Sequence, residues 1–139
     1  MLASDTDIVE LANGTFTLGL DTTALVATAR VAMISGTGVV TLTNTTSNKI
    51  SLKDGVNTSV TFSDGADTII GGTGNNTITT TDANFTSADV YTMGAEGQGV
   101  DTLVITNQAT IATADLANKS GIEVISTTSN ATHTIALTD

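Results

Sequence analysis

The chain has 139 residues, a formal net charge of −10, and no cysteine, proline or tryptophan. That length accommodates one domain, the missing thiols exclude disulfides and thiolate metal centres, and 4 basic side chains are too few to neutralise a nucleic-acid backbone. No apolar run reaches the ~18–20 residues of a membrane-spanning helix, yet hydrophobic residues make up 40%, more than a disordered acidic tail carries.

Threonine dominates the composition; it is β-branched and suits a pleated, half-exposed surface. Gly, Asn and Asp supply turns through positive φ and side-chain-to-backbone bonds. The chain therefore reads as short strands separated by turn clusters. Over 15–20, alternation places Phe16, Leu18 and Leu20 on one face of a strand. Residues 24–33 are Ala/Val-rich and fit either a strand or a short helix. Strands follow over 39–43, 49–53, 59–62, 68–70, 76–79, 89–93 and 102–105. Residues 109–118 fit one helical turn before Gly121, and the last strands fall at 122–125 and 134–137. No linker divides the chain, so residues 1–139 are read as a single all-β domain with little or no helix. A short-strand β-sandwich and a β-solenoid of β-roll type both accommodate strands of this length.

The stretch from Asp64 to Thr79 carries the most specific pattern. At a period of nine, Gly71 to Thr79 fits G-G-x-G-x-D-x-U-x, with Asn76 in the Asp position. Residues 62–70 keep Gly65, Asp67 and Ile69 in the equivalent places, and residues 53–61 keep Val60. Gly99, Asp101 and Leu103 form a detached copy. In such a unit Gly permits a tight turn and exposes carbonyls. The Asp two residues on folds back to the same point, and the apolar residue two further on enters the core. Two stacked turns surround a hole with oxygens, suited to Ca²⁺, which takes six to eight of them at ~2.3–2.6 Å. The same spacing also makes plain Asp-Gly hairpin turns with no metal.

This pattern resembles the repeats-in-toxin calcium-binding repeats of type I-secreted proteins. Together with the apolar run from Gly121 to Ile125, it is similar to bacterial surface-layer proteins of that type. The resemblance covers residues 53–125, the region 53–105 holding most of the Gly-Asp/Asn turns. It departs at Asn76, at Ser63 where a glycine belongs, and in the shortness of the run, so it implies one or two weak calcium sites rather than a row. Its ligands would be Asp64, Asp67, Asn76 and Asp101, with backbone from Gly65, Gly72, Gly74 and Gly99. It also implies export without a cleaved N-terminal signal, in keeping with a start that lacks a basic region and apolar stretch.

Other residues carry simpler expectations. Asn75 and Asn76 form turns as readily as they ligate. Asp5, Asp7 and Glu10 read as a solvated terminal cluster, and Glu123 as a solvent-facing side chain between Ile122 and Val124. Tyr91 and Phe62 are expected as core or interface anchors rather than sugar-stacking platforms. His133, the single histidine, cannot build a zinc site alone, and no catalytic constellation is identifiable around it. Asn-x-Ser/Thr sequons at Asn13, Asn44, Asn57, Asn75, Asn84, Asn118 and Asn130 allow a glycan or cell-surface anchor.

No enzyme is expected. The composition favours an extracellular or cell-surface structural subunit that assembles with copies of itself into a filament, layer or matrix, stabilised by calcium. Short alternating strands with little Lys and no Pro leave open edges, and the strands near 8–11 and 134–137 are candidates to cross between copies by strand addition. A divalent cation would relieve the repulsion between strongly acidic subunits. A virion structural or decoration protein and a calcium-dependent adhesive binding module remain as alternatives.

Overall fold

Strands that alternate threonine with an apolar residue can close a core by hairpins or by coiling. In the computed structural model they coil. The structure describes residues 8–11, 14–18, 30–33, 38–42, 47, 49–52, 54–55, 57–62, 64–94, 98–107, 110–128 and 134–135. In chain order the strands are β1 (Ile8–Leu11), β2 (Gly14–Leu18), β3 (Arg30–Met33), β4 (Gly38–Leu42), β5 (Lys49–Ser51), β6 (Thr58–Thr61) and β7 (Thr68–Ile70). Then come β8 (Thr77–Thr80), β9 (Val90–Thr92), β10 (Thr102–Ile105), β11 (Thr110–Ile111), β12 (Lys119–Ser120), β13 (Val124–Thr127) and β14 (Thr134–Ile135).

Every pairing among these strands is parallel. A two-residue hairpin cannot make that connection, so each strand crosses to the other side before the chain returns. One sheet has the order β13-β10-β8-β6-β4-β2 and the facing one β12-β9-β7-β5. The pair β1-β3 continues beside β5, and β11-β14 forms a short third strip. The result is a β-solenoid of β-roll type. It replaces the sandwich alternative, because strand partners lie one coil apart instead of being sequence neighbours.

Most expected strands lie where alternation placed them. Of the ambiguous 24–33 segment, 30–33 is β3 and the rest lies outside the described residues. The expected helical turn in 109–118 is the 3-10 turn Thr113–Leu116, preceded by β11; a second 3-10 turn, Asp82–Asn84, was not foreshadowed by the pattern.

Alternation also builds the core. In the six-stranded sheet Val40, Val60, Ile78 and Leu103 stack in register and are buried, and in the facing sheet Ile50, Ile69 and Tyr91 do the same. Each such aliphatic side chain contributes about 1.5–3 kcal/mol through burial. Phe62 and Phe85 flank Tyr91, with ring centroids 6.4 and 6.1 Å away. The next inward position above Tyr91 is Lys119. Its Nζ lies 4.9 Å from the Phe85 ring centre and 5.2 Å from that of Tyr91, and donates to the carbonyls of Thr86, Asp89 and Ala117.

On the outside of the six-stranded sheet the register aligns Thr15, Val39, Ser59, Thr77, Thr102 and Val124 in one rank. A second rank runs parallel to it from Thr41 through Thr61 and Thr79 to Val104 and Ser126. No residue of the six strands is charged.

The aromatic cluster makes the fold sensitive to alkali. Burial, reinforced by the charges of Asp89 and Asp67, raises the Tyr91 hydroxyl far above its ordinary value of 10.0. The folded state therefore keeps a proton that the unfolded chain releases, so this contribution is complete below pH 10.0 and is lost as pH climbs beyond it. Lys119 acts in the opposite sense: burial lowers its pKa from 10.5, against the pull of Asp89 and Asp115, so its cost to folding fades by pH 10.5. The urea midpoint should fall steeply above about pH 10.5, and Tyr91→Phe should flatten the fall. An unchanged slope in that variant would remove Tyr91 as the cause.

Candidate functional site

Turns between strands interrupt the backbone ladder, and polar side chains at the corners restore bonds between coils. At the corner leading into the six-stranded sheet, Thr58, Asn76, Asp101 and Glu123 stand one above another. Each precedes by two residues an inward-facing apolar side chain: Val60, Ile78, Leu103 or Ile125. The Thr58 amide donates to Asn76 Oδ1 (3.3 Å), the Asn76 amide to Asp101 Oδ1 (2.8 Å), and the Asp101 amide to Glu123 Oε2 (2.7 Å). At the opposite corner the Asp67 amide donates to Asp89 Oδ1 (2.8 Å), while Asp89 Oδ2 accepts the Thr86 amide (2.8 Å). An outer column runs in reverse, with the Asn75 amide on Asn57 Oδ1 and the Val100 amide on Asn75 Oδ1, both at 2.9 Å.

Glycine is required where these turns touch. Gly99 has φ +137°, and a Cβ on it would stand 2.6 Å from the Gly74 carbonyl oxygen. Gly121 has φ +70°, and a Cβ there would collide with the Gly94 carbonyl.

The expected ligands divide into three places. Asp64 is exposed and accepts the amide of its neighbour Gly65 (3.0 Å), apart from the columns. Asp67 is buried at one corner with Asp89. Asn76, Asp101, Gly74 and Gly99 come together at the other, close to Gly72, which packs against Gly94. There Asn76 Nδ2 donates both to the Gly74 carbonyl (2.9 Å) and to Asp101 Oδ1 (3.1 Å), and Asp101 Oδ2 accepts the Gly94 amide (3.2 Å).

A hard cation needs carboxylate and carbonyl oxygens free to face it. Here a nitrogen donor stands between two such oxygens, and both Asp101 oxygens accept N–H groups. In this arrangement the Asn76 amide nitrogen stands between the oxygens that a cation would share. Among the described residues no three His, Cys, Asp or Glu side chains gather as metal ligands.

Two column members escaped the nonapeptide reading. Asp89 has Ser87 where the repeat has Gly, and Glu123, exposed as expected, also bonds the Asp101 amide through its carboxylate. The shared signal is a polar residue two places before an inward-facing one, Tyr91 or Ile125; Glu123 also keeps the glycine two places before it, Gly121. Asp5, Asp7 and His133 lie outside the described residues, and Glu10 falls in β1.

The second feature is the pair of sheet ends. Among the described residues, β2 and β13 each pair on one side only. The amides of Val124 and Thr128 bond to β10-side carbonyls, Asp101 and Ile105, so alternation turns those of Ile125 and Thr127 to the free edge. Val124 is 40% exposed there. Of the segments expected to cross between copies, β1 pairs with β3 and β14 with β11, each on one side only among the described residues. No helix among the described residues is long and apolar enough to cross a membrane. Comparison with protein-family models, with curated proteins and with solved structures yields no match.

Proposed function

We propose that the chain is an extracellular or cell-surface structural subunit that assembles end to end into a filament, layer or matrix. The observation that carries this reading is the pair of one-sided parallel edges, β13 and β2, at opposite ends of one sheet. Each is an uncharged strand end with a free parallel ladder, so β2 of one copy can continue the register above β13 of another. Such a contact is head-to-tail, and a head-to-tail contact that does not close generates an open polymer. Main-chain bonds would supply affinity and the alternating side chains register. Calcium enters as a counter-ion: it lowers the repulsion between subunits of charge −10 without occupying the Asn76–Asp101 corner. The likeness to repeats-in-toxin surface-layer proteins supports export without a cleaved signal.

The test is light scattering with negative-stain imaging during calcium addition to chelator-stripped protein, run beside Thr127→Pro. Proline at Thr127 removes a donor from the free edge but none from the β10 pairing. Ordered polymers in the wild type and a monomeric, folded Thr127→Pro are expected. Polymers of equal yield in the variant, or a wild type that stays monomeric with and without calcium, would defeat the reading.

A further inference from the structure

We propose that the outer face of the six-stranded sheet is an ice-binding surface. The inference goes beyond end-to-end assembly and does not rest on it, because this face runs along the solenoid and is open in monomer and polymer alike.

The face has three properties that together select the ligand. It is two-dimensionally regular: the ranks follow the strand spacing of about 4.8 Å in one direction and a two-residue step of about 6.7 Å in the other. These spacings are close to the oxygen repeats on the prism faces of hexagonal ice. It is rich in threonine at its centre, where Thr61, Thr77, Thr79 and Thr102 each offer one hydroxyl and one methyl, with Ser59 and Val104 completing the three central strands. Threonine is stiff at χ1, so the array holds its pattern with little ordering cost on binding. Finally, the six strands carry no charge in a chain of net charge −10, whereas ordinary protein surfaces are richly charged.

Other occupants fit less well. A specific protein partner is held by a few large anchors, commonly Tyr, Trp or Arg, and the face has none. A crystalline polysaccharide calls for aromatic platforms, but Phe62, Phe85 and Tyr91 are all in the core. A mineral lattice would be met by carboxylates, which the face lacks. A repetitive, neutral solid that exchanges hydrogen bonds with hydroxyls and tolerates methyls is ice. Methyl groups order the water above them and hydroxyls fix its register.

The experiment measures ice-recrystallisation inhibition and the uptake of fluorescently labelled protein into a growing ice hemisphere, at concentrations where sedimentation shows a monomer. The wild type should inhibit and should enter the ice. Thr77→Lys and, separately, Thr61→Lys should raise the inhibitory concentration by about tenfold or more, with circular dichroism unchanged. Thr92→Lys on the opposite sheet, where Thr92 is exposed, should leave it as in the wild type. Hemisphere uptake by the wild type alone decides the matter if both face variants fail to fold. Exclusion from ice overturns the proposal, as do equal losses in face and control variants. A dimer dissolved by Thr77→Lys would instead assign the face to a second copy, and face-dependent retention on crystalline cellulose or chitin would assign it to a polysaccharide; either result also overturns it.

Discussion

Asp101→Ala should lower stability by about 3–4 kcal/mol. The carboxylate is buried and accepts three N–H groups: the Asn76 amide, Asn76 Nδ2 and the Gly94 amide. Removing it strands the two backbone donors in a corner that water reaches poorly, and each stranded donor costs about 1–3 kcal/mol. Asn76 Nδ2 keeps its bond to the Gly74 carbonyl and adds little to the loss. The damage should spread along the solenoid, because repeat architectures are stabilised by contacts between adjacent coils. Thermal unfolding should show a Tm drop on the order of 10 °C. Asp64→Ala is the control, since that carboxylate is exposed and, among the described residues, serves only its neighbour's amide, and it should fall within about 0.5 kcal/mol of the parent. Equal losses in the two variants would mean that the corner column is an ornament of the turns and does not hold the coils together.

The same column explains what could and could not be read from the chain. The apolar residue two places after each acidic or amide residue was legible as core, and Ile69, Ile78 and Leu103 are all buried. The coil between β6 and β8 is 18 residues long, two nonapeptides, which is why the period showed there. Elsewhere the register survives while the period does not. The step from Asn76 to Asp101 is 25 residues and that from Asp67 to Asp89 is 22, because insertions such as the 3-10 turn Asp82–Asn84 lie between strands and leave their register unchanged. A fixed-period search loses Asp89 for that reason. The choice between sandwich and solenoid was not legible, since Gly, Asn and Asp serve a hairpin and a crossover turn alike. The role of the carboxylates was half legible. Spacing put them at the corners, but only the stacking of coils shows that they face amide donors of the coil beside them. Lys119 had no signal at all. It sits in a polar segment, and its inward position follows solely from its register with Tyr91.

Asn76→Asp should make the stability of this corner more strongly calcium-dependent than in the parent. In the wild type the Asn76 amide nitrogen bridges the Gly74 carbonyl and Asp101 Oδ1 at 2.9 and 3.1 Å. It does with two N–H bonds what a cation would do between the same two oxygens. Replacing that nitrogen by oxygen places a second carboxylate against Asp101, where both positions are buried. Like charges in such a place cost several kcal/mol, and three outcomes relieve them: proton uptake, local opening or capture of a cation. In the presence of a chelator at neutral pH the variant should therefore unfold at a urea midpoint well below the parent's, by a margin equivalent to about 3–5 kcal/mol. Acidification should recover part of it, since a shared proton removes the repulsion. Calcium should recover more than magnesium does, because the new corner offers two carboxylates and a carbonyl, and Ca²⁺ accepts irregular oxygen shells that Mg²⁺ does not. Ligand stabilisation grows as the logarithm of free ion over Kd, so the midpoint of the variant should climb with log calcium while that of the parent stays nearly flat. A parent that climbs as steeply as the variant would show that the amide is no stand-in for the ion. A variant indifferent to calcium and to pH would show that the corner is open enough for water to separate the two carboxylates.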